Sequence, residues 1–115
     1  MIFQRWILGG IRMVKIVNSN EFNEEIKSGV VVVDFFATWC GPCKMLAPIF
    51  EDLSTEMNGK VKFIKVDVDQ CPDIAMKYNV ASIPTIVVFK DGKNVNTIVG
   101  FVPKEKIKET VEAYL

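Results

Sequence analysis

Residues 30–44 read VVVVDFFATWCGPCK. The first eight are apolar, β-branched or aromatic, and only Asp34 interrupts them. Such a run predicts a strand over 30–37 that is buried on both faces of a sheet. It leads directly into Cys40-Gly41-Pro42-Cys43, which opens a helical stretch over 43–57. There Leu46, Ile49, Phe50 and Leu53 recur on one face, and Asn58-Gly59 ends the helix.

Working outward, 14–17 reads as a short first strand. Asn18 to Asn20 offer helix-capping chemistry, and a helix over 21–27 ends at Ser28-Gly29. On the other side, 61–67 alternates loosely and reads as a strand. Residues 72–78 suit a short helix with Pro72 in its first turn. A strand over 85–89 meets the hairpin turn Asp91-Gly92 and returns over 94–99. A helix over 103–115 closes the chain, with Val102, Ile107, Val111 and Tyr114 (or Leu115) toward the core. The order βαβαβαββα predicts an α/β fold: a central mixed β-sheet flanked by helices on both faces, antiparallel at least at the hairpin. No internal repeat, low-complexity tract or linker divides it.

Composition narrows the function. The chain has 115 residues, the size of one domain, and half of them are apolar. Its 14 basic and 14 acidic residues cancel, so no charge excess points to nucleic acid. No apolar run approaches the roughly 20 residues that span a bilayer, so no membrane association is expected. Histidine is absent, which removes the usual general base, the usual metal ligand and every Cys-His nucleophile pair. Three cysteines are too few, and odd in number, for a secreted disulfide scaffold, so a reducing, cytoplasmic setting is expected. Residues 1–12 carry no convincing signal-peptide cleavage site. They are read as an N-terminal extension, upstream of a domain over 13–115. Met13 is a candidate native start, because codons for Gly9-Gly10 permit a ribosome-binding GGAGG just before it.

The Cys40-x-x-Cys43 spacing lets two sulfurs bond within one helical turn. Cys40, at the helix N-terminus, meets unpaired N–H groups and the positive end of the dipole, which favour its thiolate. Cys43, one turn inside and expected to be less exposed than Cys40, is placed to resolve a mixed disulfide, and Pro42 loses nothing by lacking an N–H in the first turn. Half of a zinc site is the competing reading. It needs a second pair of ligands, yet only Cys71 and no histidine remain, and three thiols fall short of a four-cysteine iron–sulfur site. Asp34 is either a strand-end carboxylate that is paired or solvated, or a buried acid–base group beneath Cys43, with Lys65 on the neighbouring strand as its tuning partner. Ile83-Pro84-Thr85 is either a plain turn marker or a cis Ile83–Pro84 bond beside the thiols, exposing backbone for an extended substrate. Cys71 reads better as a small buried side chain than as a catalytic group.

The run VVDFFATWCGPCK over 32–44 resembles the signature of the thioredoxin family. So do Lys65-Val66-Asp67, Ile83-Pro84-Thr85, Phe89-Lys90-Asp91-Gly92 and Gly100, in order and without evident gaps across 13–115. The resemblance implies the thioredoxin fold and a general protein-disulfide reductase working by dithiol–disulfide exchange. It implies Cys40 as nucleophile, Cys43 as resolving thiol, Asp34 and Lys65 as aids to proton transfer, and a cis Pro84. Trp39, Gly41, Pro42, Ile83, Pro84 and Gly100 become the substrate-contacting lip. No cofactor or metal is implied beyond a Cys40–Cys43 disulfide. The implied partners are a separate thioredoxin reductase and disulfide-containing proteins, met by a monomer. Gly-Pro between the cysteines, where oxidising relatives usually carry histidine before the second, points to a reductant. Phe36 stands where many members have tryptophan. Two rivals are a binding module in which the cysteines are dispensable, and an extracytoplasmic oxidant or isomerase.

Overall fold

A computed structural model describes residues 14–115; the expected extension over 1–12, and Met13, lie outside the described residues. The elements follow the expected order: β1 (Lys15–Ile16), α1 (Ser19–Ile26), β2 (Val30–Phe36), α2 (Gly41–Glu56), β3 (Lys62–Asp67), α3 (Pro72–Lys77), β4 (Thr85–Lys90), β5 (Lys93–Val99) and α4 (Lys104–Glu112). One sheet forms in the order β1-β3-β2-β4-β5. β1, β3 and β2 run parallel, and β4 and β5 are antiparallel to their neighbours. The sheet is therefore mixed, as the hairpin requires.

Every residue of β2 is buried, because both its faces are covered. Val31, Val33 and Phe35 pack against α1 and α3 with Phe22, Ile26, Ile74 and Phe89. Val30 and Val32 face the other layer, where Leu46, Phe50 and Leu53 of α2 meet Ile107 and Val111 of α4. Edge-on aromatic pairs knit both layers: Phe22 and Phe89 at 5.8 Å, Phe50 and Phe63 at 5.2 Å.

Local chemistry moves several boundaries. α1 begins two residues earlier than expected because Asn18 is its cap. The Asn18 Oδ1 accepts the Glu21 N–H at 3.0 Å and the Glu21 carboxylate accepts the Asn18 N–H at 3.0 Å. α2 begins at Gly41, with Cys40 as its cap, and runs through Pro48. Pro48 has no N–H, so the carbonyl of Lys44 has no α-helical donor there. α4 stops at Glu112, short of the expected 115, and Tyr114 instead donates its hydroxyl to the Val95 carbonyl at 3.0 Å. Asp91 and Gly92 have φ of 50° and 85°, so both central turn residues are left-handed, the geometry that matches strand twist in a two-residue hairpin.

The topology gathers one end of the sheet. β2 runs out at Phe36, in register with Asp67 at the end of β3. β4 runs the opposite way, so its first residue, Thr85, lies beside Phe35, and Val99 at the end of β5 lies beside Thr85. The loops holding Trp39-Cys40, Asp69, Ile83-Pro84 and Gly100 therefore meet at that end.

Candidate active site

Cys40 and Cys43 are joined by a disulfide, with Cα atoms 5.2 Å apart. Cys40 caps α2, and its Sγ accepts the backbone N–H of Cys43 at 3.2 Å. That N–H is one of the unpaired donors of the first helical turn. The residues are nearly equally covered, with Cys40 5% and Cys43 3% exposed. Exposure therefore does not rank the two thiols; position at the helix start does.

The Ile83–Pro84 peptide bond is cis. The Ile83 carbonyl oxygen lies 3.9 Å from the Cys40 Sγ. A disulfide sulfur has no proton to give, so this is a contact that becomes a hydrogen bond only with Cys40 as a thiol. The Gly100 N–H donates to the Pro84 carbonyl at 2.8 Å, and Gly100 holds φ of 91°, a conformation that disfavours a side chain. Ile83 is half-buried and Pro84 buried, while Gly41 and Pro42 are exposed. A Cβ at Gly41 would meet nothing within 4 Å, so the fold itself does not demand glycine there.

Trp39 is 68% exposed, yet its indole N–H is tied to Asp69 Oδ2 at 2.7 Å. The Asp69 N–H in turn donates to Asp67 Oδ1 at 2.9 Å. Sequence reasoning missed Asp69, an unremarked loop acid; only the end-of-sheet register brings it to Trp39.

Asp34 is fully buried, and neither carboxylate oxygen has a hydrogen-bond partner. Its side chain is closed off from bulk solvent and has no protein partner. Burial pushes its pKa up to about 7, while the positive charge of Lys65 pulls the other way. Alternation along β2 puts Asp34 on the same face as Val32 and Phe36, the face covered by α2, and Phe36 packs with Cys40 and Cys43. Lys65 is in register with Asp34, but its ammonium rests over the Phe36 ring, 4.4 Å from the centroid. The two are neighbours without an ion pair.

Cys71 is buried on the opposite face of the sheet, among Val17, Phe22, Val33 and Ile74, with its Sγ 4.0 Å from the Val17 carbonyl. No group of three or more His, Cys, Asp or Glu side chains among the described residues could hold a metal ion. No helix among them is long and apolar enough to cross a membrane.

Comparison with known proteins agrees with this geometry. Residues 13–113 match the family model described as Thioredoxin. The thioredoxins of Staphylococcus saprophyticus and Staphylococcus haemolyticus are each 52% identical over 103 residues, covering 90% of this chain and 98% of the relative. That of Staphylococcus aureus is 50% identical over the same span. A mixed sheet that delivers a bonded cysteine pair to a helix start, shared sequence across nine-tenths of the chain, and a family match over nearly all of it lead to one conclusion: the chain belongs to the thioredoxin family and is a protein-disulfide oxidoreductase whose redox-active pair is Cys40–Cys43.

Proposed function

We propose that the chain works as a general protein-disulfide reductase in which Cys40 attacks and Cys43 resolves. The observation that carries this assignment is the Cys43 N–H aimed at the Cys40 Sγ from the first turn of α2. The Cys40 thiolate attacks one sulfur of a substrate disulfide. A mixed disulfide forms, and the other substrate sulfur leaves as a thiolate that takes up a proton. Cys43, as thiolate, then attacks the Cys40 sulfur, and the second substrate sulfur leaves as a thiolate that likewise takes up a proton. Two electrons and two protons have passed to the substrate, and the Cys40–Cys43 disulfide remains.

Resolution needs the Cys43 proton removed inside a buried site, where charge is disfavoured. Asp34 supplies the acceptor. Burial supports this role by holding it near neutrality, where it can both take and release a proton. Lys65 tunes it from β3. Trp39, Gly41, Pro42, Ile83, Pro84 and Gly100 form the lip on which an extended substrate lies. A separate thioredoxin reductase returns the dithiol, with no cofactor bound to this chain. The setting is the cytoplasm, a reading supported by the bacterial relatives named thioredoxin, and the working state is a monomer.

Insulin disulfide reduction driven by a thioredoxin reductase tests the assignment. The intact protein turns over. Cys40→Ser is inactive, and Cys43→Ser accumulates a mixed disulfide through Cys40. A Cys40→Ser protein that still supports a partner's activity would favour the binding-module reading instead. Residues 1–12 are proposed to lie outside the working domain. Deleting them should leave the melting temperature and insulin reduction unchanged, and a loss of either would assign them a role.

A further inference from the structure

Lys65 stands directly beside Asp34 in the parallel pair of β2 and β3, yet its ammonium is elsewhere. It sits over the ring of Phe36, the diagonal neighbour two residues toward the mouth of the site. An aromatic face attracts a cation through its quadrupole but does not neutralise it. The Lys65 charge is thus held inside the site and left uncompensated. The Asp34 carboxylate, with no hydrogen bond of its own, feels that charge without being locked to it.

We infer that Phe36 is a positioning residue: its ring seats the Lys65 ammonium and thereby sets how strongly that charge acts on Asp34. The inference deepens the proton-transfer role proposed for Asp34 and rests on it only for its consequence in turnover. Other groups around Asp34 do not supply the effect. β4 presents Ile86 in register with it, and Cys43 of α2, which packs with Phe36, does not titrate while disulfide-bonded. Asp67, two residues further along β3, is half-buried and already accepts the Asp69 N–H. Without the ring, the long lysine stem carries the ammonium into water, because a half-buried charge is better solvated there. Its pull on Asp34 then weakens.

The test is a carbon-13 titration of the Asp34 carboxyl in the oxidised protein, paired with the pH profile of insulin reduction. Phe36→Leu keeps apolar volume but removes the aromatic face, and the Asp34 midpoint should rise by roughly half a pH unit. Phe36→Trp keeps the face, and its midpoint should stay close to that of the unaltered protein. This second variant also reads out the seating if the leucine variant folds poorly. Lys65→Met should raise the midpoint by itself, and adding Phe36→Leu to it should then change nothing further. A downward movement, or the same movement whether residue 65 is lysine or methionine, overturns the inference. If the midpoint moves as expected while the pH–rate profile does not follow, the seating of Lys65 stands and the proton role of Asp34 falls.

Discussion

The indole N–H of Trp39 donates to Asp69 Oδ2 at 2.7 Å, joining the residue before the disulfide to a loop 30 positions along the chain. Trp39 is otherwise the most exposed aromatic side chain of the site. A large side chain in water samples many rotamers, and docking against it costs the entropy of ordering it. The bond to Asp69 removes much of that freedom.

Asp69→Ala should therefore weaken substrate docking more than chemistry. KM for a protein disulfide should rise roughly five-fold, equivalent to about 1 kcal/mol for one exposed hydrogen bond, with kcat little changed. In a Trp6→Phe background, Trp39 is the sole tryptophan, and its fluorescence anisotropy should fall in the variant. An equal loss in kcat would place Asp69 in the chemistry instead.

Asp34 makes stability depend on pH in a direction opposite to that of a salt-bridged acid. Its folded pKa, about 7, lies above its ordinary value of 3.8, so the folded state holds the proton more tightly than the unfolded chain does. Stability from this group is highest below pH 4 and falls as pH rises toward 7. The loss approaches roughly 4 kcal/mol at about 1.4 kcal/mol per unit. Asp34→Asn should flatten that decline and stabilise the oxidised protein most above pH 7, while slowing disulfide reduction near neutrality. Urea unfolding across pH, with reduction kinetics on both proteins, checks the two halves. Unchanged kinetics with unchanged or lower stability would make Asp34 an ordinary core residue.

The two active thiols should separate by chemistry rather than by access. In the reduced protein, limited alkylation should label Cys40 first, since the helix start stabilises its thiolate. Mass mapping decides the order, and early labelling of Cys43 would reverse the assignment. Cys71→Ala, on the far face of the sheet, should retain most reductase activity.

Asn18 offers a control remote from the redox pair. Asn18→Ala removes the side-chain half of the capping box on α1 and should cost about 1 kcal/mol in denaturant unfolding. Insulin reduction at a temperature where both proteins are folded should be unaltered. A drop in activity would mean that α1 communicates with the disulfide.

Much of this architecture was legible in the chain, for identifiable reasons. β2 announced itself because a strand covered on both sides has no polar face to alternate. Asp91-Gly92 marked its turn because few residues tolerate two successive left-handed conformations. Cys40-Gly41-Pro42-Cys43 was readable because its chemistry is local. Features made by the register of distant strands were not. The bond from Trp39 to Asp69 leaves no pattern in either segment. Lys65 could be named as a neighbour of Asp34 from strand adjacency, but its preference for the Phe36 ring depends on which diagonal it leans along. Helix starts shifted for a simpler reason: at Asn18 and Cys40 the cap itself defines where the helix begins.

The placement of Cys71 has a consequence for counting electrons. Its thiol is packed in the layer of Phe22 and Ile74, while the bonded pair packs with Phe36 and Ala37 in another, so Cys71 does not share the packing of the disulfide. One pair of the three cysteines thus carries the exchange of two electrons, and the third stands apart from it. In a quantitative thiol assay on the reduced protein Cys40 should react first, and Cys71 should need denaturant to open the layer containing Phe22 and Ile74.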